Sequence, residues 1–378
     1  MRKARVGVIG CGNISERYIS NLQLLESTAV VAVTDIVEEN ARRRAAQFGI
    51  PVVCRTNEEL IAREDIDIVV NLTIPKAHAP VSEAALRAGK HVYTEKPLAA
   101  ELEDGRALVD LARDLNLRIG CAPDTFLGAS LQTSRKLIDD GWIGRPFGAT
   151  CHLLKMGPET WHPDPAFLYH EGAGPLFDSG PYFISGLVYL LGPVRSVTCS
   201  AEMTYSERTI TSQPHFGEII HVEVPTFVAG LLTFASGAVA TLLLSTDVPY
   251  SRYPDPRQNG HAIEVYGTLG TLSVPSPCYF DGVIYYRRSG MQDWAELPRL
   301  YTYTEDSRGI GVADMASALL NNRPPRVSAE MSYHIHEVLH RLDASRRGGG
   351  LQVVESTFER TEPLESTLRV GEIDTSKG

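Results

Sequence analysis

Several things are missing from this 378-residue sequence, and each absence excludes a class of protein. There is no C-x-x-C pair. Cys11, Cys54, Cys121, Cys151, Cys199 and Cys278 are scattered, which argues against a zinc ribbon, a thioredoxin-like motif or a disulfide framework and suits isolated thiols in a reducing cytosol. There is no basic block. Lys and Arg total 36 against 46 Asp and Glu, a net charge of −10, so the electrostatic footprint of a nucleic-acid binder or a polybasic membrane-surface protein is lacking. There is no long hydrophobic run either. The apolar stretch after the basic N-terminus meets Gly10 and Gly12 before it reaches the length of a signal peptide core. Residues 230–244, the most apolar later segment, are broken by Ser236-Gly237 and fall short of the ~20 residues a membrane span needs. The remaining composition, 43% hydrophobic and 22% charged, is that of a globular protein, and the length suits two domains at roughly 100–200 residues each. The expectation is a soluble, cytoplasmic protein with a small-molecule partner, and neither nucleic acid nor membrane.

The first 120 residues alternate between two periodicities. Runs at 5–9, 30–34, 52–54, 66–72, 91–94 and 117–120 read as strands, several of them apolar at successive positions, as strands buried on both faces require. Between them, 14–25, 37–48, 57–62, 77–88 and 102–115 read as helices. Gly49 and Gly89 stand where helices should stop, and Thr56 or Asn57 can cap the one that follows. Strands alternating with helices predict βαβ units and a parallel sheet. After residue 123 one helical stretch, 128–140, leads into Val-, Thr- and Tyr-rich runs at 147–156, 194–205, 223–234, 238–246, 262–266 and 283–287. Turns at Ser236-Gly237 and across 267–270 predict hairpins and a mainly antiparallel sheet, with helices at 311–321 and 329–346 placed to cover one face of it. The expected domains are 1–123 and 124–378, divided near Ala122-Pro123.

Gly10-Cys11-Gly12-Asn13-Ile14-Ser15 follows the first strand and opens a helix. It matches G-x-G-x-x-G with Ser in the third place, where only a small residue is needed. Gly10 permits the tight turn, and Gly12 lets backbone approach a pyrophosphate at the helix N-terminus. Asp35 closes the second strand, at the position from which an acid binds both hydroxyls of the adenosine ribose. The constellation predicts a dinucleotide site. A carboxylate there repels a 2′-phosphate and favours NAD over NADP, with Arg42-Arg43-Arg44 on the next helix as the complication.

Three further segments carry a resemblance. Thr94-Glu95-Lys96-Pro97-Leu98-Ala99 resembles the E-K-P signature of the glucose–fructose oxidoreductase and inositol dehydrogenase family (Gfo/Idh/MocA). The segment from Asn71 through Thr73 to Pro75, with His78, is similar to that family's nicotinamide-side loop, and 172–182 to its second-domain catalytic segment. The resemblance implies a Rossmann domain with a doubly wound parallel sheet, then an α/β domain whose open-faced, mainly antiparallel sheet packs against another subunit in a dimer or tetramer. It also implies an NAD(P)-dependent oxidoreductase moving hydride between nicotinamide and a secondary hydroxyl or ketone of a sugar, sugar derivative or cyclitol. Gly10, Gly12, Asn13, Ile14, Asp35, Thr73, Pro75, His78, Glu95 and Lys96 would then hold the cofactor.

Lys96, at the end of a parallel strand, can stabilise developing alkoxide charge on the reacting oxygen. The family's Lys-Pro bond is typically cis. Asp178 would orient the substrate and Lys96. Four residues on, where most of the family has His, stands Tyr182, so the proton acceptor is open among Tyr182, Asp178 and His162. Trp161 is a sugar-stacking platform or a packing residue, and Asp124, His162, Asp178 and His78 are candidate hydroxyl partners. A nucleotide-sensing regulator on the same fold, or a reductase of a non-sugar carbonyl or dihydrodiol, is the alternative. Lys96 and Asp178 together favour the enzyme. His336-Glu337-Val338-Leu339-His340 spells H-E-x-x-H, but no third ligand follows at a suitable spacing, and the expectation is a structural helix without metal.

Overall fold

The computed structural model describes residues 2–252 and 261–375. The chain forms two compact units, one of Met1–Gln132, Leu300–His336 and Phe358–Gly378, the other of Thr133–Arg299 and Glu337–Thr357. This differs from a linear cut at 123: two C-terminal segments fold with the first unit.

In the first unit, strands β1 (Ala4–Ile9), β2 (Thr28–Thr34), β3 (Val52–Val53), β4 (Ile68–Asn71), β5 (His91–Thr94) and β6 (Ile119–Cys121) form a parallel sheet of order β3-β2-β1-β4-β5-β6. This is the doubly wound dinucleotide-binding order, whose direction reverses between β1 and β4. Val6, Val8, Ile68, Val69, Val70, Val92 and Ile119 are wholly buried, because helices lie over both faces. Helices α1 (Asn13–Leu24), α2 (Glu38–Phe48), α3 (Asn57–Ile61), α4 (Pro75–Arg87) and α5 (Leu102–Asp114) make the crossovers. Local chemistry sets their ends. Gly49 stops α2 at φ +64°, Thr56 Oγ1 accepts from Glu59 N at 3.2 Å to cap α3, and Pro75 opens α4. The helix Ile310–Leu320 also belongs to this unit, and so does not cover the second sheet as expected.

The second unit holds strands β7 (Pro146–Leu154), β8 (Val194–Glu202), β9 (Glu207–Thr209), β10 (Ile219–His221), β11 (Phe227–Phe234), β12 (Val239–Ser245), β13 (His261–Gly267), β14 (Gly270–Pro275), β15 (Ile284–Arg288), β16 (Ala295–Leu297) and β17 (Gln352–Val353). Nine of them form one sheet of order β16-β15-β14-β13-β7-β12-β11-β8-β17, while β9 and β10 pair separately. Every neighbour pair in the large sheet is antiparallel except β7 with β12. The hairpins expected at 236–237 and 267–270 are present. One face is covered by the helix Gly180–Leu191 and by residues from 337 onward, with Gly186 against Ile263 and Gly230 against Leu342. The other face is open, presenting Phe147, Leu231 and Val239.

Candidate active site

The glycine-rich turn joins β1 to α1. Gly10 has φ +97°, and a Cβ there would stand 2.6 Å from the Leu72 carbonyl oxygen, so no side chain fits. Gly12 precedes the first turn of α1, and a Cβ there would meet nothing within 4 Å. Backbone N–H groups are thus open to a ligand at a helix N-terminus, which fits a dinucleotide pyrophosphate. Asn13 and Ile14 begin the helix. Asp35 sits half-buried just past β2, its Oδ2 accepting from Cys11 N at 2.6 Å and its Oδ1 from Val37 N at 2.8 Å. Its carboxylate therefore pins the turn while keeping lone pairs for ribose hydroxyls. Burial first, and the Asp35 charge second, push the Cys11 thiol up to about 12, leaving it inert.

The three consecutive arginines are divided in role. Arg44 is buried, with Nη1 on Glu16 at 2.7 Å, Nε on Ser15 Oγ at 3.2 Å and Nη2 on the Gly12 carbonyl at 3.3 Å. It props the glycine-rich turn. Arg42 pairs with Glu38, and Arg43 donates to Asn40 Oδ1 at 3.0 Å.

At the ends of β4 and β5 lies a second set of polar residues. Asn71, fully buried, donates to the His78 carbonyl at 3.0 Å and accepts from Thr73 Oγ1 at 2.6 Å, fixing the loop into Pro75. His78 is placed differently from the expectation of a ligand contact. It is 1% exposed, with Nδ1 2.6 Å from the Pro97 carbonyl and Nε2 3.1 Å from that of Thr73, and in its neutral form the ring donates to one of these two carbonyls. Burial, outweighing both carbonyls, lowers its pKa. Glu95 accepts from the buried Tyr18 hydroxyl at 2.8 Å and from Lys96 N at 2.9 Å, and the Lys96-Pro97 bond is cis. Asp124 also departs from the expectation of a hydroxyl partner. It is 1% exposed, and its Oδ2 accepts from Gly309 N and Gly311 N, both at 2.9 Å. The carboxylate caps the helix Ile310–Leu320, where a negative charge complements the helix dipole.

A pocket of about 260 Å³ lies within the second unit, its lining including Trp161, His162, Phe167, Asp178, Lys155 and Thr246. Trp161, 52% exposed, meets the His162 ring edge-on at 5.4 Å, and His162 meets Phe167 likewise at 5.6 Å. Much of the indole is thus accessible rather than packed away. The Asp164 N–H donates to His162 Nδ1 at 3.0 Å, so the neutral imidazole carries its proton on Nε2. That tautomer presents a donor rather than an acceptor at Nε2. Asp178 lies in a π-helical turn, Pro175–Ser179, just before the helix Gly180–Leu191. Asp178 thus lies in a wider turn and Tyr182 on the regular helix that follows it. Asp178 lines the pocket, whereas Tyr182, half-buried on the following helix, is outside its lining.

Beneath the pocket the Tyr169 hydroxyl donates to Glu159, which also pairs with Arg208 Nη1 at 3.1 Å, and Arg208 pairs with Asp247. This network braces the loop carrying Trp161 and His162. Sequence reasoning missed Lys155, Phe167, Tyr169 and Thr246. A polar residue just past a strand end was the available signal for Lys155 and Thr246.

The H-E-x-x-H residues are otherwise engaged: His336 Nε2 lies 3.0 Å from the Glu101 carbonyl, Glu337 takes Arg341 and the N–H groups of Glu355 and Ser356, and His340 packs on Phe177. Among the described residues no disulfide forms, and no helix is long and apolar enough to cross a membrane.

Comparison with known proteins agrees with this architecture. Residues 4–122 match the family model described as the oxidoreductase family, NAD-binding Rossmann fold, and 131–273 match the GFO/IDH/MocA C-terminal domain. The dTDP-3,4-didehydro-2,6-dideoxy-alpha-D-glucose 3-reductase of Saccharopolyspora spinosa is 30% identical over 335 residues, 84% of this chain and 92% of that one. The myo-inositol 2-dehydrogenase of Thermotoga maritima is 23% identical over 268 residues, 71% of this chain and 74% of that one. Levoglucosan dehydrogenase, solved in complex with NADH and levoglucosan, superposes with a TM-score of 0.79 at 21% identity, covering 94% of this chain and 100% of that one. The two matched domains, the sheet order and the E-K-P turn agree, and the chain belongs to the Gfo/Idh/MocA family of oxidoreductases.

Proposed function

We propose that this enzyme is a cytoplasmic, NAD-preferring dehydrogenase acting on a secondary hydroxyl or ketone of a sugar, sugar derivative or cyclitol. The observation that carries the reading is the turn at Gly10 and Gly12, which excludes a side chain at one position, leaves backbone open at the next and is pinned by Asp35. The preference for NAD is supported by the arginines. Arg44 is spent beneath the turn and Arg42 on Glu38, so a 2′-phosphate would face the Asp35 carboxylate with Arg43 as the remaining cation of the three. The aromatic and hydroxyl-binding groups of the second-unit pocket support a polyhydroxylated ring as ligand. The unpaired cysteines suit a reducing compartment.

Gly10, Gly12, Asn13, Ile14 and Asp35 would hold the adenosine and pyrophosphate, with Thr73, Pro75, Glu95 and Lys96 toward the nicotinamide. When bound, the cofactor supplies a hydride acceptor at nicotinamide C4. Lys96 donates a hydrogen bond to the reacting oxygen and stabilises alkoxide charge as the carbinol C–H bond breaks and the C=O bond forms. Asp178 or Tyr182 accepts the hydroxyl proton, and His162 donates to a neighbouring hydroxyl through Nε2. The open sheet face, with Phe147, Leu231 and Val239 exposed, is proposed to join subunits in a dimer or tetramer, which light scattering would count. A panel of sugars and cyclitols, assayed for NAD⁺ reduction, tests the activity. Tight NADH binding without turnover of any polyol would instead support a nucleotide sensor.

A further inference from the structure

We propose that the Lys155–Thr246 end of the second-unit pocket receives a carboxylate, making the substrate a sugar acid such as a uronate or aldonate rather than a neutral sugar. This rests on the reading of that pocket as the substrate site. β7 and β12 are the parallel pair of the large sheet, with Leu154 opposite Ser245, so both chains leave the sheet at the same end. Lys155 N donates to the Ser245 carbonyl at 3.2 Å, which brings the first residues beyond the two strands side by side.

Thr246 is 7% exposed, and its Oγ1 has no hydrogen-bond partner among the described residues. A buried hydroxyl in that state costs free energy until a ligand satisfies it. The neighbouring cation, Lys155, forms no ion pair among the described residues, whereas Arg208 in the same unit is paired with both Glu159 and Asp247. A neutral hydroxyl offers one oxygen to two donors. A carboxylate offers two, one for Nζ–H and one for Oγ–H, and its charge strengthens both bonds. Asp178 stands in the same lining, and Trp161 and Phe167 supply apolar faces for the ring. A volume of about 260 Å³ suits a monosaccharide rather than a longer chain.

The test uses the full-length chain with NAD⁺ and pairs each acid with its neutral counterpart: D-glucuronate and D-gluconate against D-glucose, D-galacturonate against D-galactose. At least one acid should exceed its counterpart in kcat/KM by roughly tenfold or more, the scale of a hydrogen bond to a charged group. In Lys155→Met that ratio should fall by about 10–100-fold, mainly through KM, whereas Lys155→Arg should keep most of it. Thr246→Val should lower it less, by about three- to tenfold. Turnover of neutral sugars with no preference for acids would overturn this inference and leave the proposed function standing. An acid preference that survives Lys155→Met would overturn the assignment to Lys155. No turnover of either kind would defeat both readings together. Should Lys155→Met fail to fold, the arginine and valine variants decide the same question.

Discussion

Asp124 separates two accounts of one residue, a hydroxyl partner in the substrate site or a buried helix cap. Its carboxyl is fully buried, and burial, only partly offset by the Gly311 and Gly309 N–H groups, raises its pKa from the ordinary 3.8 to about 6. The sign follows from proton uptake. Between those values the native state holds the proton and the unfolded chain has lost it, so stability falls as pH rises through this window. The gap, at about 1.36 kcal/mol per pH unit, comes to a loss on the order of 3 kcal/mol above pH 6 relative to below 3.8. Asp124→Asn keeps an oxygen for the two glycine N–H groups and puts a neutral NH₂ where the unpartnered Oδ1 now lies. The carboxylate lies near the Tyr93 phenol, whose pKa burial and then the Asp124 charge push up.

The Asn variant should therefore be more stable than wild type at pH 7.5, by up to roughly 3 kcal/mol or several degrees in midpoint. The advantage should shrink toward zero near pH 4, where the wild-type carboxyl is itself neutral in the native state. Urea denaturation at both pH values reads this directly, and KM for a substrate should be unchanged. A variant less stable at pH 7.5, or an offset that is the same at both pH values, would refute the reasoning. A raised KM with unaltered stability would return Asp124 to the substrate site.

Three further outcomes are expected. In a fluorescence titration NADH should bind at least about tenfold more tightly than NADPH, and Asp35→Ser should narrow that gap; equal wild-type affinities would sink the cofactor assignment. Lys96→Met should cut turnover by roughly 10²–10³-fold, the scale of one lost charge-stabilising donor, while NADH affinity falls far less because the adenosine and pyrophosphate contacts remain. Tyr182→Phe should lower kcat for alcohol oxidation by about 10²–10⁴-fold if the phenol takes the proton. Near-normal activity there, with loss in Asp178→Asn, would assign the proton to the carboxylate.

The first unit was legible because its signals are local. A helix stop at Gly49, a cap at Thr56 and a Pro at the start of α4 each announce an element within a few residues of chain, and the apolar runs between them fit only strands covered on both faces. The second unit was less so. The short strands β9, β10, β16 and β17 have two or three residues each, too few for a period to show. The helix Gly180–Leu191 is buried on almost every side, so its sequence has no polar face to mark it as a helix. Ile310–Leu320 was recognised as a helix but given to the wrong unit, since an apolar helix does not say which sheet it covers.

The site shows the same limit at the level of single side chains. Asp124 and His78 look in sequence like binding groups: polar residues near the ends of elements. What the fold brings to each gives them another role. Asp124 receives N–H groups from 185 and 187 residues away, and His78 receives the Pro97 carbonyl from the next crossover loop, so both are spent on structure. Lys155 and Thr246 illustrate the converse. They stand side by side because β7 pairs in parallel with β12, a strand that itself follows β11 by a hairpin, and neither end of the pairing is written near the other. Local sequence thus identifies the groups able to do chemistry, and long-range pairing decides which remain available for it.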